Sequence, residues 1–132
     1  MTNFSTKLLP TTRDVIAPDG SDVRVLLTLD GGSMAHFELA GEQTSIPSAN
    51  RTVDEIWYIV AGRGEMWRMA EGKEEVVNLA PGVCLTIPSN THFQFRAFGS
   101  SPLQAVAITM PPWPGDAEPI DVDGPWVATV SR

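Results

Sequence analysis

Short apolar runs alternate with Gly, Pro, Asn and Asp along most of this chain, and the alternation has the period of strands rather than helices. Val23, Val25, Leu27 and Leu29 share one face of a predicted strand. Asp30-Gly31-Gly32 then turns the chain into Met34 to Leu39, predicting a hairpin. Ile56 to Val60 is apolar on both faces and should be covered on both sides, between two sheets or under a neighbouring subunit. Ala61-Gly62-Arg63-Gly64 turns it back into Glu65 to Met69, and Glu71-Gly72-Lys73 leads into Glu74 to Leu79. Three more turns follow: Pro81-Gly82 before Val83 to Ile87, Pro88-Ser89-Asn90 before His92 to Phe98, and Ser100-Ser101-Pro102 before Leu103 to Met110. Eight or so strands at turn intervals of about ten residues predict an all-β fold, an antiparallel sandwich or barrel of the jelly-roll kind.

The pattern stops at Pro111-Pro112-Trp113-Pro114-Gly115, because prolines lack the N–H that a central strand must donate. The expected organisation is therefore one barrel domain over residues 1–110 and an irregular tail over 111–132. Asp116 to Asp123 is acidic and read as a solvated arm, while Trp113 and Trp126 should dock the tail on the barrel or on a partner subunit.

At 132 residues the chain is long enough for one core and one site. Nine Lys and Arg against sixteen Asp and Glu leave a net charge of −7, which repels phosphate backbones and anionic lipid. A nucleic-acid or membrane-surface partner is disfavoured, and a small-molecule ligand or substrate is expected. No run approaches the ~20 apolar residues of a bilayer span. Met1 to Pro10 holds one Lys and no signal-like apolar stretch, so a cytoplasmic location is expected. Cys84 is the only cysteine, read as a buried filler, and His36 and His92 are the only imidazoles.

Glu55-Ile-Trp-Tyr-Ile-Val-Ala-Gly62 carries a glutamate followed after six residues by glycine, and Gly82-Val-Cys-Leu-Thr-Ile-Pro88-Ser-Asn-Thr-His-Phe repeats the Gly-to-Pro spacing of a second motif. In both stretches, and in the distance between them, the chain resembles a single-domain cupin over roughly residues 40 to 97. The resemblance implies a jelly-roll (double-stranded β-helix) barrel, and a homodimer, since such cupins often pair. It also implies where a metal would be held, and there this sequence departs from the pattern. Ser48 and Asn50 stand at the two histidine positions ahead of the glutamate; a one-residue shorter gap gives Ala49 and Arg51. Phe93 stands at the histidine position of the second motif. Only Glu55 survives, and a carboxylate with an amide and a hydroxyl is a poor transition-metal site, so no metal or other cofactor is expected. A divalent transition metal held by Glu55 with His92, His36 or both remains the alternative.

Strand alternation makes the orientation of His92 all or none. In the family register Phe93 and Phe95 face inward and His92, Gln94 and Arg96 face out; a shift by one reverses this. His36 shares a face with Glu38, opposite Phe37 and Leu39.

The resemblance places Glu55 inside the barrel beside Trp57, where desolvation should raise its pKa into the range of a general acid or base. It could instead be paired with Arg51, Arg63 or Arg96, or hydrogen-bonded to Asn50 as a relic. Asn50 could orient a substrate carbonyl or the Glu55 carboxyl. Ser48, Trp57, Met66, Phe93 and Phe95 are the candidate cavity wall, suited to an apolar or planar ligand, although such aromatic and Met side chains, Trp67 included, are more often core. Two classes of function stay open: a metal-independent enzyme of isomerase, lyase or cyclase type using Glu55 and Asn50, or a non-catalytic binding barrel. A metal-dependent oxygenase or lyase is the third.

Overall fold

A computed structural model of the chain describes residues 3–132 as two antiparallel sheets and no helix. The strands are β1 (Val15–Ile16), β2 (Asp22–Leu29), β3 (Gly32–Leu39), β4 (Ser48–Asn50), β5 (Asp54–Ala61) and β6 (Arg63–Ala70). They continue as β7 (Lys73–Leu79), β8 (Cys84–Ile87), β9 (His92–Phe98), β10 (Leu103–Met110) and β11 (Pro119–Asp121). One sheet runs β1-β2-β3-β10-β5-β8 and the other β11-β4-β9-β6-β7, the crossed order of a jelly-roll barrel. The eight long runs of the sequence pattern are all present. The three additions, β1, β4 and β11, are two or three residues long and lie where no alternation could have shown them.

Alternation sets the inside of the barrel. Glu55, Trp57 and Ile59 of β5, Leu103, Ala105, Ala107 and Thr109 of β10, and Phe93, Phe95 and Ala97 of β9 are all buried. His92 and Arg96 take the other face of β9, as the family register implies. Gln94 shares that outer face and yet is fully buried, because the tail covers it: its Nε2 donates to the Ser45 and Trp126 carbonyls, and Trp126 N donates to its Oε1. Trp67, also on this face, is buried and donates its indole N–H to Glu74.

The tail departs from the reading of a solvated arm. Pro119–Asp121 pairs with β4 at the sheet edge, where a missing proline N–H is harmless. Glu118 is buried and accepts from Thr52 N, Thr52 Oγ1 and Val53 N. Burial alone would raise its pKa, but these donors hold the carboxyl below its ordinary range. Trp126 packs under the Arg96 guanidinium, 4.1 Å from its ring centre. Cys84 is exposed rather than buried, since the inward positions of β8 are Leu85 and Ile87.

Candidate active site

One end of the barrel is filled and the other is open. Leu39, Ile59, Met66, Leu79, Phe95 and Leu103 close the filled end as part of a single apolar core. Trp57 marks the boundary: its ring stacks on Phe37 (5.3 Å between centroids, 6° between planes) and meets Phe93 and Phe95 edge-on. Beyond it lies a cavity of about 460 Å³. Val15, Ile16 and Trp113 line it and are partly exposed, so β1 and the start of the tail form its mouth.

Of the residues singled out from the sequence, Ser48, Asn50, Glu55, Trp57 and Phe93 converge on this cavity. Met66 and Phe95 do not, because both lie in the filled end on the far side of Trp57. The family positions converge because β4 runs antiparallel to β9, with Ser48 opposite Phe93, while β5 supplies Glu55 and Trp57 from the facing sheet.

Glu55 is 5% exposed. Its two oxygens are held separately: Trp57 Nε1 donates to Oε1 at 3.0 Å and Asn50 Nδ2 donates to Oε2. None of Arg51, Arg63 and Arg96 reaches it; Arg51 donates to the Ala117 carbonyl, Arg63 is exposed, and Arg96 pairs with Glu65. Burial pushes the Glu55 pKa up to about 7, against the pull of both donors and with help from the neighbouring charges of Asp19 and Glu118. Desolvation decides the balance. Near neutrality this carboxyl can take or give a proton at little cost.

Asp19 is the residue that sequence reasoning missed. It lies in the turn between β1 and β2, lines the cavity and is buried. Its Oδ1 accepts from Ser21 N at 2.9 Å and Ser21 Oγ at 2.6 Å, and burial raises its pKa although these bonds oppose the shift. Pro18-Asp19-Gly20 reads as ordinary turn chemistry, so no spacing marks it. Phe37, Ser33 and Thr109 also line the cavity. Ser33 and Thr109 hydroxyls bond to each other, and Trp113 N donates to Ser33 Oγ, which fixes the mouth.

A transition metal does not fit this donor set. His36 lies on the outer face of its sheet with Nε2 on Gln104 Oε1, and His92 faces away from the cavity that Phe93 lines. Among the described residues no three His, Cys, Asp or Glu side chains come together as ligands would. The imidazole and thiolate donors that such ions need are missing from the cavity wall.

The family model of the cupin domain matches residues 35–109. Among solved structures, Streptomyces PAC13 with uridine is 15% identical with a TM-score of 0.68, covering 90% of this chain and 92% of that one. KdgF from Halomonas sp. is 18% identical with a TM-score of 0.59, covering 70% and 81%. An uncharacterised Klebsiella pneumoniae protein with a double-stranded β-helix domain is 14% identical with a TM-score of 0.64, covering 79% and 80%. At these identities the likeness establishes the fold. No curated protein sequence matches the chain.

Proposed function

This chain belongs to the cupin domain family, and we propose that its barrel is the active site of a small-molecule enzyme in which Glu55 moves a proton without a metal. The observation that carries this reading is the Glu55 carboxyl, walled in at the edge of an apolar cavity with its pKa near 7. A buried carboxyl is costly unless it is used or fully paired. Asn50 and Trp57 each occupy one lone pair of Glu55, fixing its plane and leaving a second lone pair on each oxygen. Asn50 is thus a positioning residue here, with one of its two side-chain N–H donors committed to Glu55.

Ser48 supplies the hydrogen-bond donor. Its hydroxyl has only a 3.4 Å contact to the Ile46 carbonyl and lines the same cavity. A substrate carbonyl oxygen held by Ser48 would leave the adjacent C–H facing Glu55. The carboxylate takes that proton, the C–H electron pair becomes the C=C bond of an enol or enolate, and the neutral acid returns the proton at the same or a neighbouring atom. That is isomerase chemistry, in which no leaving group departs and no redox partner is needed. The stack of Phe37 and Trp57 suits a planar ligand, and the cavity volume falls in the range of small-molecule pockets. The PAC13 structures of this fold are structures with uridine, a small molecule that carries a flat base.

The test is solvent exchange. A panel of small enolisable ketones and aldehydes in D2O, followed by proton NMR, should reveal at least one whose α-hydrogen exchanges with the wild type. Glu55→Gln should slow that exchange about 10²- to 10⁴-fold while the barrel stays folded. Equal exchange in the variant would end the reading. One observation favours a binding barrel as the second reading, namely that both Glu55 oxygens already have partners. Tight binding of a compound that shows no exchange, unaltered in Glu55→Gln, is the result it expects.

We also propose that the chain pairs with a second copy of itself through the outer face of the six-stranded sheet. Ile56, Tyr58 and Val60 of β5 are each at least 39% exposed there, whereas their inward neighbours are buried.

A further inference from the structure

We propose that the ligand of this cavity carries a protonated amine, and that Asp19 is the residue that receives it. The inference rests on the reading of the barrel as the ligand site and adds the charge of what enters it.

Among the described residues the cavity wall holds no Lys, Arg or His, and its three titratable side chains are Asp19, Glu55 and Asp116. An anion entering it would give up hydration and meet no compensating positive charge, only carboxyl oxygens. A carboxylate or phosphate substrate is therefore disfavoured by the wall itself. The net charge of −7 acts in the same sense at longer range, concentrating cations near the mouth.

Asp19 has the geometry of a receiving group. Both donors of Ser21 converge on its Oδ1, which leaves Oδ2 without a hydrogen bond among the described residues. The backbone around it is pinned: Ile46 N donates to the Asp19 carbonyl, Ala17 N donates to the Ser21 carbonyl, and Gly20 takes the left-handed φ of 89° that lets the turn close. The carboxyl is thus buried, oriented and half-satisfied before any ligand arrives. An ammonium or amidinium N–H is the donor that completes it most strongly, because hydrogen bonds between charged partners are roughly twice as strong as neutral ones.

The aromatic wall makes the same choice. Phe37 and Trp57 stack side by side, Phe93 stands edge-on to Trp57, and Trp113 sits at the mouth. The negative faces of such rings attract cations and tolerate flat apolar skeletons. An amine on a ring therefore meets carboxyl oxygen at one end and π-faces along its body.

Benzylamine, benzyl alcohol and benzoate share a ring and differ in charge, and isothermal titration of the full chain with each reads the preference directly. The wild type should bind benzylamine more tightly than benzyl alcohol, with benzoate weakest. Asp19→Asn should weaken benzylamine about tenfold or more and leave benzyl alcohol within about twofold. The alcohol also reports that the cavity is still formed; if Asp19→Asn does not fold, the smaller Asp19→Ser takes its place. Failure to bind the amine, benzoate binding as tightly as benzylamine, or an Asp19 variant with unchanged preference would each overturn the inference. Loss of proton exchange is a separate result, so an intact amine preference with no exchange defeats the enzyme reading alone.

Discussion

Glu55 keeps a proton in the folded chain to about pH 7, whereas the same carboxyl in an unfolded chain releases it near 4.5. Between those values the unfolded state holds fewer protons, so stability falls as pH rises through the window and levels off above it. For a group this buried the loss amounts to about 3 kcal/mol. Asp19, also shifted upward by burial, contributes in the same direction from 3.8 upward. Removing the Glu55 charge isolates its share. Glu55→Gln should melt at a higher temperature than the wild type above pH 7, with a flatter dependence on pH between 5 and 7. Parallel melting curves for the two proteins across that range would show that Glu55 is not the buried acid described here. What the sequence could show of this site follows from the same chemistry. Asn50, Ser48 and Phe93 stand at positions where a ligand-binding motif has lost its imidazoles and kept only Glu55, and a departure from a known spacing is visible in one sequence. Asp19 has no such frame, because an Asp before Gly is what a turn needs whether or not a cavity lies beneath it.

At the scale of elements, the turn joining β5 to β6 explains why a glycine ends the first motif. Gly62 has a φ of 82°, and a Cβ built there would lie 2.3 Å from the Pro102 carbonyl oxygen. Both the backbone conformation and the space exclude a side chain. Gly62→Ala should cost about 2 to 4 kcal/mol, from the left-handed backbone together with overpacking against the β10 lead-in. Denaturant titration would show it as a lowered midpoint at unchanged slope; a shift of under about 0.5 kcal/mol would mean the neighbouring segment gives way freely. The tail shows where element-scale reading stops. Pro111, Pro112 and Pro114 rule out a central strand and say nothing about an edge, so β11 goes unseen. Glu118 likewise looks like one more acid in an acidic run. Its burial depends on the N–H groups of Thr52 and Val53, which are 66 and 65 residues away and need a partner. Gln94 was legible as outward-facing, yet a covering segment that pairs with its amide can be known only from the folded chain.

For the whole molecule, the two-sided apolar character of β5 poses a question that one barrel does not answer. Its inner face is buried, but on the outer face the register sets Met34, Ile108 and Ile56 side by side across β3, β10 and β5, with Val106 and Tyr58 in a neighbouring row. Met34, Ile56 and Tyr58 are 37%, 39% and 48% exposed. In the proposed pairing a second copy would cover this continuous apolar strip on a chain of net charge −7, because the strip itself carries little of the charge that would repel it. The tail tryptophans do not compete for this role, since Trp126 packs on Arg96 and Trp113 lines the cavity mouth. Sedimentation equilibrium should give twice the 14.3 kDa chain mass. Because burial of apolar surface drives the pairing, added salt should leave it intact where an ionic interface would weaken. Ile56→Lys combined with Tyr58→Asp should convert the protein to monomers with an unchanged circular dichroism spectrum, since both side chains point away from the core. A wild type that sediments as a monomer, or a double variant that stays dimeric, would move the interface elsewhere. The cavity opens on the inner side of this sheet, so breaking the dimer should leave amine binding within about twofold of the wild type, and the two proposals stand or fall separately.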